Sequence, residues 1–151
     1  MALTAQEISD RIEIQDLMVR YARAIDTKDY GLLDTCFLPD AHVDYVSSGG
    51  AKGPYPEVRA WLEKALAPFA SMMHLVANNQ VQLDGDQARS RTYVINPMGF
   101  PKADGTLHVF TVAAHYVDKL VRTPDGWRIQ ERIEETVLMA GALPEEREIV
   151  L

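Results

Sequence analysis

One carboxylate and one imidazole are the side chains best suited to chemistry in this chain. Asp26 falls at the end of the first amphipathic helix, and His74 falls where a long strand begins. A neutral imidazole can accept a proton from a carbon next to a carbonyl or beside a leaving group. A carboxylate bonded to its other nitrogen sets the tautomer and stabilises the imidazolium. We therefore predict that His74 is a general acid/base, that Asp26 orients it, and that both line one apolar pocket.

Both residues also have a structural interpretation. Asp26 could bond nearby backbone or Arg23 at the end of its helix, and His74 could be a core histidine that pairs with Asp26 for packing. Proteins that share a fold often differ in whether they convert a ligand or only bind it. The residues alone leave these alternatives open.

Three further polar residues are candidates for substrate binding: Tyr45, Asn96 and Tyr21. A phenol such as Tyr45 can donate a hydrogen bond to a developing enolate in a dry pocket, although a core tyrosine is an equal alternative. Asn96 is in phase with Val94 and Thr92, so it is either an inward polar anchor or a strand-end residue. Tyr21 belongs to the core face of the first helix or to the pocket.

No motif for a metal, a nucleotide or a covalent intermediate is present in the sequence. His42, His108 and His115 lack the pairwise spacing of a metal site, and Cys36 is the single cysteine. GxSxG, P-loop and GxGxxG motifs are absent as well. We expect no metal and no cofactor.

The composition predicts one globular domain over residues 1–151, with 47% hydrophobic and 25% charged residues. A formal net charge of -7 and scattered basic residues argue against nucleic acid as a partner. The N-terminus lacks the apolar core of a signal peptide, and no apolar run approaches membrane-spanning length. We expect a cytoplasmic protein without a membrane partner.

Three helices are predicted in the first half of the chain. Thr4 and Glu7 form a capping box for a helix that runs to about Asp26. A short helix follows, from position 29 or 30 to 37, and a strand covers residues 41–46. Pro56 suits the first turn of a third helix, whose apolar stripe includes Trp61 and continues to position 69.

The second half of the chain predicts antiparallel strands. Residues 71–83 and 87–96 form a hairpin, residues 97–106 a loop rich in Gly and Pro, and residues 107–121 a long strand. Side chains alternate between the two faces of a strand, and we apply this rule to the last strand. One face is predicted to carry Trp127, Ile129, Glu131 and Ile133, and the opposite face Arg128, Gln130, Arg132 and Glu134. This order predicts an α+β domain in which a curved sheet wraps helices around a pocket.

Six segments, in this order and spacing, resemble the SnoaL-like group of the NTF2-like superfamily, and the resemblance covers nearly the whole chain. They are Ile14-Gln15-Asp16-Leu17, Tyr21-Ala22-Arg23-Ala24-Ile25-Asp26, Phe37-Leu38-Pro39-Asp40-Ala41, Met73-His74-Leu75-Val76-Ala77-Asn78, Leu83-Asp84-Gly85-Asp86-Gln87-Ala88 and Asp125-Gly126-Trp127-Arg128-Ile129. The resemblance implies a cone, with a curved mixed sheet around a long N-terminal helix. Asp26 and His74 match the Asp/His pair that two kinds of lyase in that superfamily use, and Tyr45 matches a pocket tyrosine. Ile25 and Tyr21 stand where those lyases have a tyrosine and a lysine, so neither reaction transfers to this chain.

The leading hypothesis is a cofactor-free lyase, of dehydratase type, or an isomerase that acts on a small, apolar, cyclic molecule. A non-catalytic binding protein of the same fold and a subunit that serves only assembly are the alternatives. We also predict a homo-oligomer, a dimer or trimer, formed through the strand at residues 107–121. The apolar residues that motivate this are Val109, Phe110, Val112, Tyr116, Val117 and Leu120. The tail at residues 143–151 is expected to cap the pocket mouth, to pack on a neighbour or to be a loose terminus.

Overall fold

A computed structural model describes residues 2–141, so the tail at residues 143–151 lies outside the described residues. Residues 2–141 contain three helices, seven strands and a short 3-10 turn, Val46–Ser48. The helices are α1 (Ala5–Asp26), α2 (Tyr30–Asp34) and α3 (Tyr55–Ala65). The strands are β1 (Phe37–Asp44), β2 (Lys52–Pro54), β3 (Ser71–Met72), β4 (Leu75–Asp84), β5 (Gln87–Pro101), β6 (Leu107–Thr123) and β7 (Gly126–Ala140). None of the described helices is long and apolar enough to cross a membrane.

Helix α1 begins and ends as the sequence predicts. The Thr4 side chain accepts a hydrogen bond from the Glu7 backbone while the Glu7 carboxylate accepts one from the Thr4 backbone, which completes the capping box. The helix buries Ile14, Leu17 and other apolar residues against the concave face of the sheet. It ends at Asp26, so the candidate carboxylate stands at a defined point in space.

Helices α2 and α3 are shorter than predicted. Helix α2 ends at Asp34 rather than at position 37, because Phe37 already pairs with Ile129 in the sheet and stacks on Tyr55 at a ring-centroid distance of 4.5 Å. Strand β1 therefore begins four residues before the predicted strand and includes Pro39, at an irregularity in the pairing. Helix α3 ends at Ala65.

The sheet is mixed, as the resemblance to the SnoaL-like group implies. Its strand order is β2-β1-β7-β6-β5-β3, and β4 also pairs with β5. Among the described strands, β1 and β7 alone run parallel, and the other pairs are antiparallel. The first part of β5 pairs with β4, and its last part pairs with β3. The predicted continuous strand over residues 71–83 is thus interrupted at Met73 and His74, where the backbone leaves the regular ladder.

The predicted loop over residues 97–106 is mostly strand, which corrects the sequence analysis. Pro97 pairs with Thr111 and Gly99 with Val109, so β5 continues to Pro101 and the connection shortens to residues 102–106. The Gly and Pro residues of this segment, which favoured a loop, lie within the strand up to Pro101. Gly99 serves close packing, since a Cβ at that position would stand 2.6 Å from Oγ of Ser71.

The predicted alternation in the last strand fails after Ile129. Ile129 pairs with Leu120 and Glu131 with Lys119, so Gln130 is an extra residue in β7. An inserted residue moves every later side chain to the other face. Arg132 is consequently fully buried at 0% exposure, whereas Ile133, predicted to share the face of Trp127, is 38% exposed.

The apolar residues of β6 are divided between its two faces. Phe110, Val112, Tyr116 and Leu120 are buried on the concave face and are not available for association. Val109 is exposed on the convex face and Val117 is half-buried there. The predicted contact surface must therefore consist of other residues of the convex face.

Asp10 of α1 binds residues on both sides of the turn between β6 and β7. Its carboxylate accepts hydrogen bonds from Arg122, at 2.5 and 2.7 Å, and from Nε1 of Trp127, at 3.2 Å. The hydrogen bonds from Arg122 are the main cause that lowers the pKa of Asp10 to about 2. Such a bidentate pair fixes geometry as well as charge.

We predict that Asp10→Asn lowers the free energy of unfolding by about 2 kcal/mol at pH 7, because it removes charge-assisted hydrogen bonds at a buried site. The lowered pKa contributes stability that is present above pH 4 and is lost as the pH falls toward about 2. Urea unfolding of both proteins across that range measures the difference, which should shrink at low pH. Asp16→Asn, on the exposed face of α1, is the control. Equal losses in both variants would contradict the prediction.

Candidate functional site

A cavity of about 290 Å³ lies between the concave face of the sheet, the end of α1 and helix α3. Most of its wall is apolar and aromatic: Ile25, Trp61, Leu62, Ala65, Leu66, Pro68, Phe69, Val94, Met98, Phe100, Phe110 and Val112. A smaller polar set completes the wall: Tyr21, Tyr45, Ser48, His74, Asn96, Tyr116 and Glu134. An apolar chamber with a few polar groups is the usual form of a small-molecule site.

Asp26 and His74 are hydrogen-bonded, as predicted. Oδ1 of Asp26 lies 2.6 Å from Nδ1 of His74, and the two carboxylate oxygens lie 3.1 and 2.9 Å from the His74 backbone N. The His74 side chain is 4% exposed and lines the cavity. Because Nδ1 donates to the carboxylate, Nε2 is the nitrogen left for a ligand. Asp26 is not itself part of the cavity wall, which corrects the prediction that both residues line it.

Local backbone geometry explains why the two residues meet. Lys28 has a positive φ of 55°, which turns the chain away from α1 directly after Asp26. Its ammonium donates to the backbone oxygens of Ala67 and Phe69, at 3.2 and 2.8 Å, and so holds the segment after α3 against the end of α1. The interruption between β3 and β4 then presents the His74 N–H to Asp26 instead of to a strand.

Three tyrosines form the polar end of the cavity. The hydroxyls of Tyr21 and Tyr45 lie 2.8 Å apart, and the rings of Tyr21 and Tyr116 meet edge to face at 5.4 Å. Tyr21 also lies edge-on to His74, at 6.2 Å between ring centroids. Burial raises the pKa of Tyr21, and it raises the pKa values of Tyr45 and Tyr116 well above the ordinary value. All three therefore remain protonated at neutral pH and are able to donate hydrogen bonds.

Asn96 is the fourth predicted pocket residue that the structure places on the wall. Its Oδ1 is buried and has no hydrogen-bond partner among residues 2–141. A buried acceptor without a partner is costly, so this oxygen is suited to a donor group on a ligand. All the predicted binding residues, Tyr21, Tyr45 and Asn96, thus share one cavity with His74.

A buried ion pair that was not predicted from the sequence lies beneath the tyrosines. Nε and Nη2 of Arg132 donate to Asp118 at 2.8 and 2.7 Å, and the guanidinium lies 4.1 Å from the ring centroids of both Tyr21 and Tyr116. Burial opposes the charged form of Arg132, but Asp118 more than compensates, and the pKa of Arg132 is raised well above its usual value. The sandwiched cation fixes both rings in place.

Glu134 was also assigned to the wrong face. It lines the cavity, and Thr136 Oγ1 lies 3.4 Å from its Oε1. Burial raises the pKa of this carboxyl, against hydrogen bonds from Ser48 and Thr136 and the charges of His74 and Arg132. The buried pair of Arg132 and Asp118 could have been predicted from Asp118. That residue is in phase with Tyr116 and Leu120 along β6, and a carboxylate that faces the core requires a cation beside it.

The other histidines lie elsewhere. His115 contacts Arg91 on β5 at 3.1 Å and Tyr93 at a ring-centroid distance of 4.4 Å, on the convex side of the sheet. His42 of β1 pairs with Pro54 of β2, and His108 of β6 lies opposite Phe100 of β5. Across residues 2–141, no three His, Cys, Asp or Glu side chains are grouped so that they could hold a metal ion.

A curved mixed sheet around a long N-terminal helix, with an apolar cavity between them, is the fold of NTF2-like proteins. The model of the SnoaL-like domain matches residues 6–133, and the chain belongs to that family. An uncharacterized protein of Mycobacterium tuberculosis is 46% identical over 132 residues, which are 87% of this chain and 88% of the relative. An uncharacterized protein of Mycobacterium bovis matches to the same extent.

Solved structures of the same fold have differing activities attached to their names. A candidate aromatic ring hydroxylase from Novosphingobium aromaticivorans superposes with a TM-score of 0.79 at 29% identity, over 89% of this chain and 94% of the other. A candidate scytalone dehydratase from that organism gives 0.78 at 20% identity, over 95% and 94%. A type 2 hexachlorocyclohexane dehydrochlorinase gives 0.76 at 19% identity, over 90% of each chain. The last two show the shared fold alone.

We predict that Gly50→Ala disturbs the tyrosine end of the cavity. A Cβ at Gly50 would stand 2.7 Å from the Tyr45 Cβ and 2.9 Å from the Tyr45 carbonyl oxygen, closer than a rigid backbone tolerates. Overpacking of this kind costs about 1–3 kcal/mol. Thermal unfolding should show the loss, whereas Gly31→Ala, on α2 with its nearest neighbour at 3.5 Å, should not destabilise. Unchanged stability of Gly50→Ala would refute the tight packing over Tyr45.

Proposed function

We propose that this protein is a lyase of dehydratase type, or an isomerase, that works by proton transfer without a cofactor. Its substrate is a small, largely apolar, cyclic molecule. The observation that supports this most strongly is the His74 imidazole, whose Nδ1 donates to Asp26 while its ring lines an apolar cavity. A histidine in this setting is a general base with a defined tautomer.

The proposed reaction begins with a proton on a carbon next to a carbonyl. Nε2 of His74 removes the proton, and Asp26 stabilises the imidazolium that forms. The negative charge moves to the carbonyl oxygen, where a phenol from Tyr45 or the amide of Asn96 polarises it. Most of the cavity wall is apolar, so these hydrogen bonds act in a medium of lower dielectric constant than bulk water.

Size and polarity support the substrate class. A cavity of about 290 Å³ is near the lower limit for ligand pockets and matches a ring system of modest size. Aromatic side chains form much of the wall, including the pair Phe69 and Phe100, whose centroids are 3.9 Å apart. A flat ring packs well against such a wall.

A binding protein that does not convert its ligand is the second candidate. It is favoured by the same apolar wall, and it differs from the first only by turnover. The hypothesis that the protein is a subunit for assembly alone is less well supported. It predicts a His74 that is enclosed in the core, whereas His74 lines the cavity. Native mass spectrometry of the purified protein would identify any molecule that remains in the cavity and would supply a substrate for kinetics.

We predict that His74→Ala nearly abolishes turnover, while Asp26→Asn leaves weakened activity because the tautomer is no longer enforced. The loss for His74→Ala should be about 10²–10⁴-fold in kcat/KM. Thermal stability is measured in parallel, since Asp26 also accepts the His74 backbone N–H. Near wild-type rates in a stable His74→Ala protein would move the assignment to the binding protein. His115→Ala, on the convex face, is the control.

We also propose a homo-oligomer, a dimer or trimer, through the convex face of the sheet. Leu75, Ile95, Ala113 and Leu138 lie side by side on four neighbouring strands, and three of them are large and about half exposed. A contiguous apolar row of this kind is expected to be covered.

Light scattering at micromolar concentration should therefore give a multiple of 16.9 kDa. Ile95→Asp should shift the mass toward the monomer because it buries a charge in the contact. Ile12→Asp, which changes an equally exposed isoleucine on α1, should leave the mass unchanged. A monomeric wild type would reject this part of the proposal.

A further inference from the structure

One carboxyl group in the cavity has no task in the proton abstraction described above. Glu134 shares the wall with His74, and β7 carries it there only because the extra residue at Gln130 reverses the alternation. It lies opposite Tyr116 in the sheet. A carboxyl side chain inside an apolar chamber is expensive to ionise, so its presence calls for a chemical reason.

The groups around Glu134 come from every side of the cavity. His74 and Arg132 exert positive charge on it, and it in turn acts on the phenols of Tyr21, Tyr45 and Tyr116. The Arg132 charge is already paired with Asp118, through two short hydrogen bonds. Asp26 likewise neutralises the His74 imidazolium when it forms. No unpaired cation among the described residues is therefore dedicated to holding Glu134 ionised.

We propose that Glu134 is the general acid of the reaction and protonates the leaving hydroxyl of a cyclic β-hydroxy ketone. This inference rests on the proposed function, in which His74 is the base. The placement of both groups on one cavity wall supplies a proton acceptor and a proton donor for the same small substrate. It also favours elimination of water over isomerisation, since a proton shift within one molecule needs a single base.

The step balances without a further reactant. The α C–H bond breaks, its proton goes to Nε2 of His74, and its electron pair forms the new C=C bond. The β C–O bond breaks, and its oxygen leaves as water with the proton from Glu134. The products are an enone and water. The imidazolium then returns a proton through solvent to the Glu134 carboxylate, so the enzyme is restored and nothing is oxidised or reduced.

The raised pKa of Glu134 agrees with this role, because burial keeps the donor protonated to higher pH than an ordinary carboxyl. The sign of the pH effect follows. Loss of water should become slower as the pH rises through the Glu134 pKa, since the carboxylate has no proton to donate. The base acts on every substrate, so the effect of Glu134 is measured as a fall, with rising pH, in the ratio of kcat/KM for loss of water to kcat/KM for loss of acetate, which leaves without a proton.

Two test substrates separate the acid from the base: 3-hydroxycyclohexanone and 3-acetoxycyclohexanone. Both give 2-cyclohexenone, which is followed by its ultraviolet absorbance. Hydroxide is a poor leaving group and needs a proton, whereas acetate leaves without one. Glu134→Gln should lower kcat/KM for the hydroxy ketone by about 10²–10⁴-fold and leave the acetoxy ketone essentially unchanged. His74→Ala should impair both.

Glu135→Gln is the matched control, because Glu135 is the neighbouring residue, half exposed, and pairs with Arg91 outside the cavity. Its rates should equal those of the wild type. The second readout is a titration by NMR of protein labelled with ¹³C at the glutamate carboxyls, in which the signal absent from Glu134→Gln should titrate with a pKa above 4.5, the ordinary value for a glutamate.

The outcomes are distinguishable. Equal losses for the two substrates in Glu134→Gln, a ratio of the two kcat/KM values that does not fall as the pH rises, or a Glu134 signal that titrates with a pKa at or below 4.5 would each overturn the acid role and leave His74 as the base. If the wild type eliminates neither group, the proposed function fails for this substrate class and the inference fails with it. Loss of acetate alone by the wild type would reject the acid and retain the base.

Discussion

The site depends on a single carboxylate that accepts hydrogen bonds from both the backbone and the side chain of one residue. Asp26 binds the His74 N–H and the His74 imidazole at the same time. The first contact fixes where the chain leaves the sheet, and the second fixes how the ring is turned. Because Asp26 is the last residue of α1, the position of the helix sets the position of the imidazole. Fold and site therefore share one constraint.

The tyrosines of the cavity are held from behind by one buried ion pair, between Arg132 and Asp118. Arg132 is sandwiched between Tyr21 and Tyr116 and neutralised by Asp118, so three elements are locked around one buried charge. Replacing one partner of such a pair is costly because it leaves the other uncompensated. The tyrosines consequently enter the cavity as rigid donors, and rigid donors lower the reorganisation that accompanies developing charge.

Sequence reasoning succeeded where a local pattern determines structure and failed where pairing does. The capping box at Thr4 and Glu7 and the end of α1 at Asp26 follow from short-range contacts, and the SnoaL-like resemblance correctly indicated the family and the fold. The inward position of Arg132 and Glu134 depends on an extra residue at Gln130, which only the partner strand reveals. Composition likewise suggested a loop where Pro97 and Gly99 are strand. Three of the seven polar residues of the wall, Ser48, Tyr116 and Glu134, were thus not predicted as site residues.

The two tryptophans occupy very different surroundings, and this makes the protein its own optical reporter. Trp61 lines the cavity and is 37% exposed beside Gly50, whereas Trp127 is 2% exposed and lies against Arg122 on the far side of the molecule. A molecule that enters the cavity dehydrates one indole and leaves the other untouched. Ligand binding should therefore change the fluorescence emission of Trp61 and not that of Trp127. Binding of a colourless ligand can then be followed without a label and independently of turnover.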